Sequence, residues 1–141
     1  MDRPLRVAVV GAGPAGVYVA DVLHKSGTPV SVDMFEKLPA PYGLIRYGVA
    51  PDHPRIKGII TALRQIMSRD TLRLFGNVEY GVDIKLEDLQ RHYDAVVFTT
   101  GDARSTNRVR GSLAGCDAYL TKPLLEDELI AALRDVDPLF R

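Results

Sequence analysis

Three glycines and one acidic residue in this sequence have the types and spacing to hold a phosphorylated ligand. Gly11, Gly13 and Gly16 stand in GAGPAG, directly after the apolar, β-branched run LRVAVV, and a helical pattern starts at Pro14. In a strand–turn–helix setting each glycine of a G-x-G-x-x-G run has its own task. The first allows the tight turn, the second lets the backbone approach a pyrophosphate, and the third lets the helix pack closely on the strand. The helix start, at Pro14 and Ala15, offers unpaired N–H groups and a positive dipole end to an anion, and Pro14 suits the first turn because its missing N–H has no partner there anyway. About 20 residues further on, such a site needs an acceptor for ribose hydroxyls. Glu36, closing VSVDMFE between Phe35 and Lys37, supplies a carboxylate that would repel a 2′-phosphate. The chemistry implied is the binding of an adenine dinucleotide.

The elements that must position these residues follow from the apolar pattern. Leu5–Val10 reads as a buried parallel strand. A helix runs from Pro14 to about Lys25 and stops at Ser26-Gly27, and Val30–Phe35 is the second strand, which completes a βαβ unit with a right-handed crossover. Residues 38–54 are a proline-rich, irregular loop, a kind of loop that is commonly functional or mobile. Arg55–Ser68 is an amphipathic helix with Ile56, Ile59, Ile60, Leu63, Ile66 and Met67 on one face. Leu72–Phe75 and Val78–Tyr80 read as a third strand, interrupted or bent near Gly76-Asn77, Leu86–Tyr93 as a short helix, and Ala95–Thr100 as a fourth buried strand ending at Gly101. Thr106–Ala114 predicts a helix, Ala118–Leu120 a short fifth strand, and Leu125–Arg134 an amphipathic helix. The expected fold class is therefore α/β, a three-layer α/β/α sandwich in one Rossmann-like domain. Its doubly wound, five-stranded parallel sheet has the order 3-2-1-4-5. The switch between strands 1 and 4 brings Gly11–Gly16 and Thr99–Gly101 around one crevice at the strands' carboxyl ends.

Bulk properties narrow the partners. Lys plus Arg and Asp plus Glu number 18 each in 141 residues, so no global field recruits nucleic acid or an anionic membrane. A single cysteine, Cys116, excludes an internal disulfide and fits a reducing, cytoplasmic setting. No apolar run has the length of a membrane span. Met1 to Pro4 leads straight into the first strand, which argues for the absence of a signal peptide. His24 and His92 lack ligand spacing, so no metal site is expected. A monomer or weak dimer is the expected state.

Residues 4 to about 101 resemble the N-terminal flavin-binding part of adrenodoxin-reductase-like ferredoxin–NADP reductases of the bacterial kind. The carrying stretches are VAVVGAGPAG, VDMFEKLPAPYGLIRYGVAPDHPRIK, LFGNVEYGVD and YDAVVFTTG. The resemblance implies FAD as cofactor, with the glycine turn at its pyrophosphate and Glu36 at the adenosine ribose. It also implies backbone contacts from Leu44 and Val82 and a place for Thr100 and Gly101 beside the cofactor. His53 matches a histidine near flavin and nicotinamide, but as a loop residue it is read as a spectator. Arg46, Arg55 and Lys57 are read as solvated charges.

From about residue 102 the reductase pattern gives way. RVRGSLAGCDAYLTKPLLEDELIAAL resembles the last third of a response-regulator receiver domain, a flavodoxin-like fold. The whole then reads as an engineered or recombinant chimera, spliced near the fourth strand, that retains a dinucleotide half-site and binds the adenine part of FAD without full reductase activity. The alternative is a ligand-free hybrid scaffold. A phosphoreceiver is disfavoured. Lys122 and Thr99 or Thr100 resemble its lysine and switch hydroxyl, but the acidic pair for Mg²⁺ at the end of strand 1 is replaced by glycines.

Overall fold

The computed structural model describes residues 3–43, 54–99, 127, 129–131 and 134, with the side chains of 54–57 outside that description. The chain divides into two compact units, residues 1–99 and 100–141. The first contains, in order, β1 (Leu5–Val10), α1 (Pro14–Lys25), β2 (Val30–Phe35), α2 (Pro54–Met67), β3 (Leu72–Phe75), α3 (Leu86–His92) and β4 (Ala95–Phe98). The four strands form one parallel sheet in the order β3-β2-β1-β4. This agrees with the first four places of the expected order. The expected fifth strand, Ala118–Leu120, lies outside the described residues.

The central strand explains the sheet. In β1 every residue but Arg6 is buried, as a strand covered on both faces must be. Ala8 and Val10 point to one face, where they pack with Phe35 of β2 and Leu89 of α3, flanked by Val78, Tyr80, Ile84, Tyr93, Val96 and Phe98. Val7 and Val9 point to the opposite face. The connection β1–α1–β2 runs one way along the sheet and the crossover through α3 to β4 ends on the other side of β1. Right-handed crossovers therefore place α1 and α3 on opposite faces. α1 buries Val17, Val19, Ala20, Val22 and Leu23, and ends at Ser26 with Gly27 at φ 81°, the left-handed conformation that glycine adopts most readily.

Of the two forms expected for the third strand the interrupted one is found: only Leu72–Phe75 pairs as a strand, because Asn77 takes φ 57° and turns the chain. Asn77 then donates to the Leu38 carbonyl, Val78 donates to that of Glu36, and Tyr80 makes only an isolated bridge to Ile84. On α2, Leu63 is buried but Ile59 is 46% exposed, so the apolar face is narrower than its spacing suggests.

Buried charge on the α3 side of the sheet is fully paired. Asp33 of β2 accepts two hydrogen bonds from Arg73 of β3, both at 2.7 Å, and one from the Tyr93 hydroxyl at 2.6 Å. The Arg73 guanidinium lies 5.6 Å from the centre of the Phe75 ring, and Phe75 stacks on Phe35 at 5.3 Å. Burial, and then the bond to Asp33, raise the Tyr93 phenol well above its ordinary value. On α1, Asp21 meets Lys25 at 2.7 Å and Arg69 at 2.8 Å, tying the helix to the segment after α2.

Asp94 ties the amino ends of β1 and β4. It takes Arg3 in a two-pronged pair at 2.7 and 2.6 Å and accepts the Arg6 backbone N–H at 2.8 Å. The Arg3 bond, opposed in part by burial and aided by the Arg6 N–H, lowers its pKa from 3.8 to about 2. A carboxyl depressed on folding contributes stability above its unfolded pKa and loses that contribution as the pH falls through the folded one. Asp94→Asn should therefore be less stable than the parent near neutral pH, by about 1 kcal/mol. The two should converge as the pH falls from about 4 toward 2. Urea melts of both proteins across that range check this.

Candidate functional site

The register of the sheet assembles the site. Val10 lies opposite Phe35 on one side and Phe98 on the other. The next residue of each strand, Gly11, Glu36 and Thr99, therefore emerges at one level at the carboxyl edge. There the chain leaves β1 through Gly11 at φ 107°, a conformation costly for any residue with a Cβ. The Gly11 N–H donates to the Phe35 carbonyl at 2.8 Å. The Ala12 N–H donates to Glu36 Oε2 at 2.9 Å, and the Thr99 hydroxyl donates to the Gly11 carbonyl at 3.1 Å and the Val10 carbonyl at 3.2 Å. The Ala12 carbonyl accepts the Tyr42 N–H at 2.7 Å.

The three glycines differ in what surrounds them. A Cβ on Gly11 would sit 2.7 Å from the Thr99 carbonyl oxygen and 2.8 Å from its hydroxyl. A Cβ on Gly16 would collide with the Gly11 carbonyl oxygen, so the helix approaches the turn as closely as the motif requires. A Cβ on Gly13 would meet nothing within 4 Å among the described residues. Gly13 has φ −72°, open to any residue, so among the described residues neither packing nor backbone conformation requires a glycine there. Gly13 is also the cap of α1; no side chain caps that helix, and its first turn carries no acid. Ala15 and Gly16 lie in that first turn, whose N–H groups have no partner within a helix, and the helix itself carries no acid there.

Glu36 is 8% exposed, and each carboxylate oxygen already accepts one backbone N–H, Oε2 from Ala12 and Oε1 from Leu38 at 3.1 Å. A carboxylate oxygen has two acceptor directions, and among the described residues one N–H meets each. Phe35 contributes its carbonyl to the turn while its ring packs in the core against Phe75 and Tyr93. Lys37 is exposed, and Val82, in the turn after Tyr80, is 71% exposed. Leu44, His53, Thr100 and Gly101 lie outside the described residues. Among the described residues no three His, Cys, Asp or Glu side chains gather as a metal site, and no helix is long and apolar enough to cross a membrane.

Two participants have little signal in the sequence. Tyr42 is buried at 4% exposure and held at φ 83°, a strained conformation for a bulky side chain. With it Gly43, at φ 49°, brings the chain over the Gly13–Pro14 corner: a Cβ on Gly43 would lie 3.4 Å from Gly13 Cα. Nothing in the tyrosine's type announces such a conformation. Thr99 is expected at the crevice, but its hydrogen bonds to the turn are not.

Residues 8–54 match a family model described as FAD-NAD(P)-binding. The mitochondrial NADPH:adrenodoxin oxidoreductase of Drosophila melanogaster is 46% identical over 68% of this chain and 21% of its own length. Cindoxin reductase of Citrobacter braakii is 42% identical over 80% of this chain and 25% of its own. The solved structure of FprA, a Mycobacterium tuberculosis oxidoreductase, superposes with a TM-score of 0.66 and 40% identity over 70% of this chain and 23% of its own. The likeness is to adrenodoxin-reductase-like FAD/NAD(P)-binding proteins. The chain spans about a fifth to a quarter of the length of these relatives.

The Drosophila match covers 96 residues of this chain and the cindoxin reductase match 113. None of these relatives supports a receiver part, a chimera or an engineered origin.

The unequal glycines give a direct test. Gly16→Ala is expected to cost about 2–3 kcal/mol or more, because the clash is with backbone. Gly13→Ala should stay within about 1 kcal/mol of the parent. Thermal melts of the two variants check the contrast; equal losses would contradict it.

Proposed function

We propose that this chain is a FAD-binding module of the adrenodoxin-reductase-like kind, gripping the cofactor by its ADP part. The observation that carries the reading is Gly13, a glycine that among the described residues neither packing nor backbone conformation requires, at a helix N-terminus without a side-chain cap and beside the buried Glu36 carboxylate. The N–H groups of the first turn of α1 take the pyrophosphate, and Gly13 lets it come close to the backbone. Glu36 accepts the hydroxyls of the adenosine ribose and rejects a 2′-phosphate through charge. When bound, FAD supplies a ring that accepts and releases electrons in pairs or singly; the residues of this chain hold and orient its other end. Support comes from the FAD-NAD(P)-binding match over the residues that form this cradle. FprA has also been solved in complex with NADPH, over a stretch similar to this chain at 40% identity.

This reading extends to Val82, which the resemblance implies as a backbone contact. It concerns binding, not turnover.

The test is spectroscopic. The protein is mixed with FAD, desalted, and its visible spectrum recorded, with FMN in a parallel sample. Retained FAD bands, no retained FMN, and displacement by ADP are the expected result, and Gly13→Val should abolish retention with little change in melting temperature. Equal retention of FMN would place the grip on the ring instead and overturn the reading.

A further inference from the structure

The Gly11–Ala12 peptide group is held at both ends by side chains from different strand ends. Its carbonyl oxygen accepts the Thr99 hydroxyl at 3.1 Å and its N–H donates to Glu36 Oε2 at 2.9 Å. In a trans peptide these two groups point in opposite directions, so the two bonds together fix the plane against rotation. The Thr99 hydroxyl is buried, and its oxygen lies 3.0 Å from where a Cβ on Gly16 would stand. It thus occupies the space between the turn and the first turn of α1. Its single proton is shared with the Val10 carbonyl, and the Thr99 backbone N–H donates to that same carbonyl at 2.9 Å. Val10 O therefore has a backbone partner without the hydroxyl. For the Gly11 carbonyl, the Thr99 hydroxyl is the one hydrogen-bond donor found among the described residues.

We propose that Thr99 is a positioning residue for dinucleotide binding: its hydroxyl turns the Gly11 carbonyl away from the phosphate site and so keeps the oxygen of that peptide from facing an anion. The inference rests on the functional reading above and adds a residue at the end of β4 to the grip. The physical reason is electrostatic. Rotation of the Gly11–Ala12 plane would present a carbonyl oxygen to the pyrophosphate and would also strip Glu36 of the N–H that holds its carboxylate in the ribose-binding orientation. One hydroxyl at β4 thereby couples the phosphate and ribose subsites through a single peptide.

The substitution Thr99→Val removes the donor at nearly constant shape, and Thr99→Ser retains it. FAD and ADP affinities are measured by titration for the parent and both variants, together with melting temperatures and the amide signal of Ala12 in ¹H–¹⁵N spectra. Thr99→Val is expected to weaken both ligands by about three- to tenfold, the size of one hydrogen bond, and to move the Ala12 signal. Thr99→Ser should restore both properties. Should valine prevent folding, Thr99→Ala removes the hydroxyl without adding bulk beside Gly16 and is read in the same way. Parent-like affinity and an unmoved Ala12 signal in the hydroxyl-free variant would overturn the proposal while leaving FAD binding intact. Equal weakening by Thr99→Ser would overturn it too. A parent protein that binds neither ligand would overturn the functional reading, and this inference with it.

Discussion

The structure depends on the way the carboxyl ends of three parallel strands meet at one peptide. β1 supplies the turn, β2 the glutamate, and β4 the threonine, and each is the residue immediately after the paired part of its strand. The parallel register makes this coincidence structural, since Val10, Phe35 and Phe98 lie side by side. A slip of one strand by one residue would send its side chains to the opposite face and take Glu36 or Thr99 out of the site. Because β1 and β2 are buried on both faces, apolar burial alone does not fix their register; a slip of β2 would instead take Asp33 away from Arg73 and Tyr93 and leave its carboxylate buried without them.

Two kinds of unfavourable conformation gather around this point. Gly11 uses a positive φ at small cost because it has no Cβ, but Tyr42 uses φ 83° with a bulky side chain. Residues held in this way typically cost about 1–3 kcal/mol and persist only where surrounding contacts over-determine them. Here the Tyr42 N–H on the Ala12 carbonyl and the burial of its side chain supply those contacts. The result is a turn whose donors are already arranged before a ligand arrives, which reduces the ordering cost of binding.

The sequence made the skeleton legible because its signals were local. A continuous apolar run, three spaced glycines, Ser26-Gly27 and an acidic residue closing the second strand were sufficient for β1, α1, β2 and the order of four strands. The bend at Gly76-Asn77 was visible too, but its outcome was not, since whether Val78–Tyr80 pairs again depends on the partners Leu38 and Glu36 offer across the fold. Glu36 was read as a ribose acceptor, and its second task, holding Ala12 and Leu38, required knowing which backbone donors surround it. Tyr42 escaped for the same reason, and Thr99 was placed at the crevice without its task, since the contacts of both lie in hydrogen bonds to a turn tens of residues away. The change of parentage near residue 101 was a reading of short, common α/β patterns, and none of the similar proteins supports it.

The central claim is that the first turn of α1 and the Gly11–Gly16 loop form a preorganised cradle for a nucleotide diphosphate. A backbone amide titration with ADP, followed in ¹H–¹⁵N spectra, tests it most directly. The account requires the largest shifts at Gly13, Ala15 and Gly16, with Ala12 responding through Glu36, and little change along β3. Saturable shifts centred elsewhere, or none in a protein whose spectrum shows a well-folded sheet, would contradict it.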